Sequence, residues 1–202
     1  MSKTAIYLGP SLDLATARSM LNAIYLPPIK RGDLARLNPA IERIGIIDGE
    51  FFQSLSVSTM EILPLLDRAV KIYGASSVGA LRAVETESYG MIGVGEIFEW
   101  YRDGIVDADD EVALTYDPST YRPTSEPLIN IRFALRDAVL EHIVEEVEAT
   151  HTIEKIRKTY FPFRSFELVY QECPEIKQFV MNRHPNRKRD DALQLLHMIA
   201  ND

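Results

Sequence analysis

At 202 residues and 46% hydrophobic content, the chain is long enough to bury one sizeable core. Its formal charge of -8 and pI near 5.1 exclude a general nucleic-acid binder, because phosphate neutralisation needs a dense basic face. The single thiol, Cys173, excludes an intrachain disulfide framework and a multi-cysteine zinc site, and fits a reducing cytoplasm.

The first apolar run, within MSKTAIYLGP, is broken by Gly9 and Pro10, too early for a signal core or a membrane span. No later segment reaches spanning length, so a cytoplasmic location without a membrane partner is expected. Thr4 to Leu8 reads as a buried strand, after which Ser11 or Asp13 is placed to cap a helix from about Leu14 to Leu21. Ala23 to Leu26 is a short second strand closed by Pro27 and Pro28, and Lys30 and Arg31 follow in a charged loop with Asp33. Arg43 to Ile47 is a third strand ending on Asp48 and Gly49. Ser58 and Glu61 have capping-box spacing ahead of a helix from about Thr59 to Ala69, which Pro64 is expected to bend.

Val70 to Tyr73 gives a fourth strand, running into the small-residue turn Gly74, Ala75, Ser76, Ser77, Val78, Gly79 and a helix through Glu85. From Glu85 to Glu111 nine carboxylates face one arginine, Arg102, and the segment reads as an exposed acidic helix and loop. Val112 to Tyr116 reads as an edge strand, and Asp117 to Pro127 as a proline-rich connection. Beyond Leu128 the apolar spacing is helical, with further helices around Ile153 to Tyr160, Phe166 to Gln171 and Ala192 to Ile199. The alternation predicts an α/β fold: an open, mostly parallel sheet in flavodoxin-like or Rossmann-like order, with a helical C-terminal third. The division expected is a core over residues 1–126 and a helical region over 127–202 packed on it.

Open sheets of this kind bind ligands beyond the carboxyl ends of their strands, and the candidate residues cluster there. Small residues from Gly74 to Gly79 allow a ligand to approach the backbone, and a helix start offers N–H groups to an anion. The turn lacks the Gly-Lys-Ser/Thr ending of a phosphate loop, and Val78 stands where an esterase elbow has its second glycine. A tight turn with Ser76 or Ser77 as helix cap is the plainer reading. Asp48 is a candidate general base, or a turn cap, with Gly49 leaving room beside it. Lys30 and Arg31 suit a carboxylate or developing oxyanion, unless they are a solvated pair neutralised by Asp33. Arg82 and Glu85 are three apart on one helix, which suits an ion pair or support behind the site.

His142, His151, His184 and His197 lie far along the chain from the serine turn and lack a zinc spacing, so neither a Ser-His-Asp triad nor a metal is expected. Cys173 reads as a half-buried thiol. Arg187, Lys188 and Arg189 are followed by Asp190 and Asp191 and read as a solvated helix start.

LGPSL (Leu8 to Leu12), YLPPIKRGDL (Tyr25 to Leu34), IGIIDGEFFQ (Ile44 to Gln53) and YGASSVGALRAVE (Tyr73 to Glu85) form one ordered series. GMIGVGEIFEWYRDG (Gly90 to Gly104), DDEVAL (Asp109 to Leu114) and SEPLINIR (Ser125 to Arg132) continue it. Together these blocks resemble the TfuA-like family. The resemblance implies partnership with a YcaO-type enzyme in peptide backbone thioamidation, the partner activating the amide with ATP. The implied role is sulfur delivery: hydrolysis of the C-terminal thiocarboxylate of a ThiS-like sulfur-carrier protein to release sulfide. No cofactor is expected, and self-association is left open. On that activity, Lys30 and Arg31 offset the charge, Asp48 activates water, and Ser76 is a hydrogen-bond donor or covalent nucleophile, with Gly49, Gly74, Ala75, Ser77 and Arg82 lining the substrate. A non-catalytic adaptor for the same enzyme is the alternative, and a small-molecule anion binder a third reading.

Overall fold

The computed structural model describes residues 3–51 and 55–202; Phe52 and Gln53, which end the IGIIDGEFFQ block, lie outside the described residues. The chain forms two compact units, Met1–Asp109 with Lys188–Asp202, and Asp110–Arg187.

The first unit is built on five parallel strands: β1 (Thr4–Tyr7), β2 (Ile24–Leu26), β3 (Arg43–Ile46), β4 (Lys71–Ala75) and β5 (Ile92–Val94). Their order is β2-β1-β3-β4-β5, the flavodoxin-like one of the two orders expected. Four helices alternate with the strands: α1 (Leu14–Met20), α2 (Thr59–Asp67), α3 (Val78–Thr86) and α4 (Glu96–Arg102). Asp13 caps α1, its carboxylate accepting from Thr16 N at 2.8 Å, and Ser58 and Glu61 form the expected capping box of α2. Pro64 lies inside α2.

Two elements differ from the sequence reading. β5 arises within the segment read as acidic helix and loop, where the apolar Ile92 and Val94 sit between Gly90 and Gly95 in a run too short to show alternation. Residues 112–116 are no edge strand; only Tyr116 bridges, to Pro123, and Val112 and Ala113 are buried without a ladder.

The second unit is helical: α5 (Leu128–Leu140), α6 (Glu146–Arg157), α7 (Phe166–Glu172) and α8 (Ile176–Arg183). Its core gathers Leu128, Ile131, Leu135, Ala138, Ile156, Val169 and Ile176, which is the helical spacing seen in the sequence. Buried charge is matched inside it. The Arg132 guanidinium donates twice to the Glu111 carboxylate, at 2.8 and 2.7 Å. Arg164, 1% exposed, donates to the carbonyls of Asp110, Thr159 and Arg157 and pairs with the Asp110 carboxylate.

The last helix, α9 (Arg187–Ala200), returns to the sheet unit, where Ala192, Leu195, Leu196 and Ile199 pack with Ile6, Leu8, Ala17, Tyr73 and Val94. The compact units are therefore drawn differently from the 1–126 and 127–202 division read from the sequence.

Candidate functional site at the strand ends

Parallel register brings the carboxyl ends of β1, β3 and β4 side by side, and β1 and β3 flank the point where the strand order reverses, the usual ligand crevice of such sheets. Tyr7 O accepts from the Ile47 and Asp48 N–H groups at 3.1 and 3.3 Å, which fixes Asp48 beside the loop after β1. The Asp48 carboxylate, 2% exposed, accepts from Gly9 N at 2.8 Å, Ser11 N at 3.1 Å and Ser11 Oγ at 2.6 Å. Gly9 lets the loop lie against Pro28, where a Cβ would stand 2.5 Å from the proline ring.

Ser76 extends the chain of hydroxyls. Its Oγ donates to Ser11 Oγ at 2.9 Å. Ser11 Oγ donates its one proton to Asp48 Oδ1, so its oxygen is left to accept from Ser76. The backbone of Ser76 is left-handed, φ 68°, at the centre of a three-residue turn closed by Ser77 N donating to Ala75 O at 2.7 Å. A γ-turn with positive φ is rare and strained, and strain of this kind gathers at functional sites. The strand, sharp turn and helix reproduce the backbone logic of a nucleophile elbow although Val78 breaks its sequence signature.

The glycines of the turn have a packing role. A Cβ on Gly79 would stand 1.8 Å from Ile46 O, and one on Gly74 2.1 Å from Gly79 O; both let α3 lie against the sheet. Gly79 N donates to Ile47 O at 3.3 Å and Ala80 N to Ser77 O at 2.9 Å, so these N–H groups at the start of α3 are engaged within the chain. Ala75 is buried at the end of β4. Ser77 stands at the N-cap of α3 without a side-chain cap bond; its Oγ instead accepts from Lys188 Nζ at 3.1 Å.

The remaining candidates lie around this centre. The Lys30–Arg31 loop is fastened to it by Ile29, whose N–H donates to Asp48 O at 2.9 Å and whose carbonyl accepts from Glu50 N at 3.1 Å. Gly49 lies under Ile29 and Val78. The Lys30 ammonium is half exposed, 3.8 Å from Glu50, and Arg31 is exposed. Asp33 accepts from Lys30 N and pairs with Arg36. Arg82 has both readings: it pairs with Glu85 at 2.7 and 2.6 Å, and it holds the segment after β3 through Val57 O and Ser56 Oγ. Burial and the nearby Asp33 and Glu61 carboxylates push the Tyr7 phenol up, so it stays protonated.

Two residues escape a reading of the sequence. Ser11 reads there as a helix cap, yet it joins Ser76 to Asp48. Lys188 reads as solvated, yet it is 2% exposed. The signal for it is present: Lys188, Asp191, Leu195 and Ile199 share the apolar face of α9. All four histidines are exposed. Elsewhere Glu148, Cys173 and Glu175 bring three possible metal-ligand atoms within 4.8 Å of one another, but burial pushes the Cys173 thiol up to about 11, away from the thiolate that binds metal.

No helix among the described residues is long and apolar enough to cross a membrane. No curated protein matches the chain. The family model for TfuA-like protein matches residues 48–165, more than half of the sequence, running from the carboxylate of the strand-end site through the serine turn and into the helical unit. The chain belongs to the TfuA-like family.

Proposed function

We propose that this protein delivers sulfur for peptide backbone thioamidation by hydrolysing the C-terminal thiocarboxylate of a ThiS-like carrier protein, handing sulfide to a YcaO-type partner. Family membership supports the setting. The observation that carries the chemistry is Ser76, held at φ 68° with its proton directed through Ser11 to Asp48. With the proton so directed, the oxygen of Ser76, itself buried, keeps its lone pairs, which suits a nucleophile better than a donor.

In this reading Ser76 Oγ attacks the thiocarboxylate carbon while its proton passes by Ser11 to Asp48. Collapse of the tetrahedral adduct breaks the C–S bond, and sulfur leaves as hydrosulfide, taking that proton back. Water then opens the Ser76 ester along the same path and frees the carrier as its carboxylate. Lys30 and Arg31, on the loop fastened to Asp48, supply positive charge where the carrier's tail enters.

The test follows thiocarboxylated carrier by intact mass. Conversion to carboxylate by the wild type, lost in Asp48→Asn and Ser76→Ala, is the expected result; wild-type protein that leaves the thiocarboxylate intact with and without a YcaO-type partner would refute it. A second reading, a non-catalytic adaptor that binds and activates that enzyme, is favoured by the way Asp48 fastens the Gly9–Ser11 loop. It predicts full complex formation and partner activation by both variants.

A further inference from the structure

Exposed apolar side chains of the helical unit gather at the two ends of one helix. Before and at the start of α6 stand Leu140, Ile143 and Val147, the last 82% exposed, and beyond its end stand Tyr160 and Phe163, the latter 71% exposed. α5 ends at Leu140, where His142 N and Ile143 N donate to Val139 O and Ala138 O, both at 2.9 Å. That tight turn, with His142 at φ 59°, carries the chain into α6. After α6, Tyr160 meets Phe161 and Phe163 edge to face, with ring centroids 4.9 and 6.3 Å apart. A single apolar side chain in water needs no explanation, but a cluster marks a contact surface.

Charge divides along the same helix. Glu145 and Glu146 open α6, Arg157 and Lys158 close it, and all four are exposed. Their neighbours are already paired, Glu141 with Arg183 and Lys155 with Glu172, whereas none of these four has an ion pair among the described residues. Acid before base is what the helix dipole favours, so the order of charge alone calls for no partner. The dipole does not account for aliphatic and aromatic groups left in water beside those charges.

Ala149 and Ile156 bury one side of α6 in the core of its own unit, and the other side shows Val147, His151, Glu154 and Lys158 at helical spacing. A chain of net charge -8 repels its own copies, so self-contact needs a face that carries both signs. α6 is such a face. Turned antiparallel against itself about a two-fold axis beside its middle, it sets the acidic, aliphatic end of each copy on the basic, aromatic end of the other. Every contact then occurs twice, and the arrangement closes at two copies.

We infer that the exposed face of α6 is the interface of a weak antiparallel homodimer, in which Glu145 and Glu146 of one copy meet Arg157 and Lys158 of the other. Across the axis Val147 packs with the Tyr160 and Phe163 rings. The inference is independent of the chemistry proposed for the strand ends. A helix about 18 Å long with five apolar side chains a copy is small for a stable interface, so the dimer forms with a Kd of about 10–100 μM.

Sedimentation velocity on the full chain, at concentrations either side of that Kd, should show monomer giving way to dimer, and less dimer as salt rises. Glu145→Lys with Glu146→Lys, and separately Arg157→Glu with Lys158→Glu, should each weaken self-association about tenfold or more, because like charges then meet. An equimolar mixture of the two reversed chains should dimerise again, since each offers the sign that the other lacks. Val147→Ser and Phe163→Ser should also weaken the dimer, with circular dichroism unchanged, and they serve if a reversed chain, working against the helix dipole, does not fold. A wild type that stays monomeric throughout overturns the inference, as does a mixture that sediments no faster than its components. So does a dimer that both serine variants leave as strong as before.

Discussion

Both compact units bury charge, and they dispose of it differently. In the helical unit the guanidinium groups meet carboxylates and carbonyls directly: Arg132 with Glu111, and Arg164 with Asp110 and three carbonyls. In the sheet unit Asp48 and Lys188 each reach a buried serine hydroxyl, Ser11 and Ser77. Guanidinium groups answer the buried carboxylate of the helical unit, whereas neutral N–H and hydroxyl groups answer Asp48 in the sheet unit.

The sharpest way to break this contrast is Arg164→Met. It should destabilise the helical unit by about 2–4 kcal/mol, because three carbonyls lose a common donor and the half-exposed Asp110 carboxylate loses its partner; urea denaturation would read it, and a neutral result would mean that the network contributes little. Asp48→Asn should cost less stability, about 1–3 kcal/mol from imperfect acceptance of three donors. If the relay is catalytic, the same change should lower thiocarboxylate hydrolysis about a hundredfold or more. Equal, small effects on both would reduce Asp48 to a loop fastener.

Ser76 separates strain from contact. Glycine tolerates φ 68° and alanine does not, so Ser76→Gly should be about 1 kcal/mol more stable than Ser76→Ala, while neither hydrolyses. Identical stabilities would argue that the turn is unstrained. The smallest effect belongs to Cys173. Its folded thiol titrates at about 11, against an ordinary 9.0, chiefly through burial. A raised acid pKa gives stability that is complete below about pH 9 and lost as pH climbs toward about 11. Cys173→Ala should flatten that part of the stability curve, and alkylation of the native thiol at about pH 8 should be slow.

Much of the sheet is legible in the sequence because its determinants are local. Four strands are set by apolar runs closed by Gly, Pro or Asp, and the α1 and α2 caps by Asp13 and by Ser58 with Glu61. The family resemblance comes from the order of its blocks, and the matched residues 48–165 support it. What stays hidden is set at long range. Ser11 and Ser76 are 65 positions apart, and Lys188 and Ser77 are 111 apart; no window of sequence joins them. β5 is hidden because a three-residue strand, Ile92–Val94, carries no period, and the burial of Val112 and Ala113 without strand pairing follows from packing, which an apolar run cannot distinguish from a ladder.

The return of α9 to the sheet divides the first unit in sequence, with residues 110–187 inserted between its two parts. During synthesis the serine turn and Asp48 emerge early, and Lys188 emerges only after the whole helical unit. Until then the face of the sheet that α9 covers lacks Ala192, Leu195, Leu196 and Ile199, and Ser77 lacks its ammonium. A nascent chain can therefore form the Ser76–Ser11–Asp48 hydrogen bonds before it can form the Lys188–Ser77 contact.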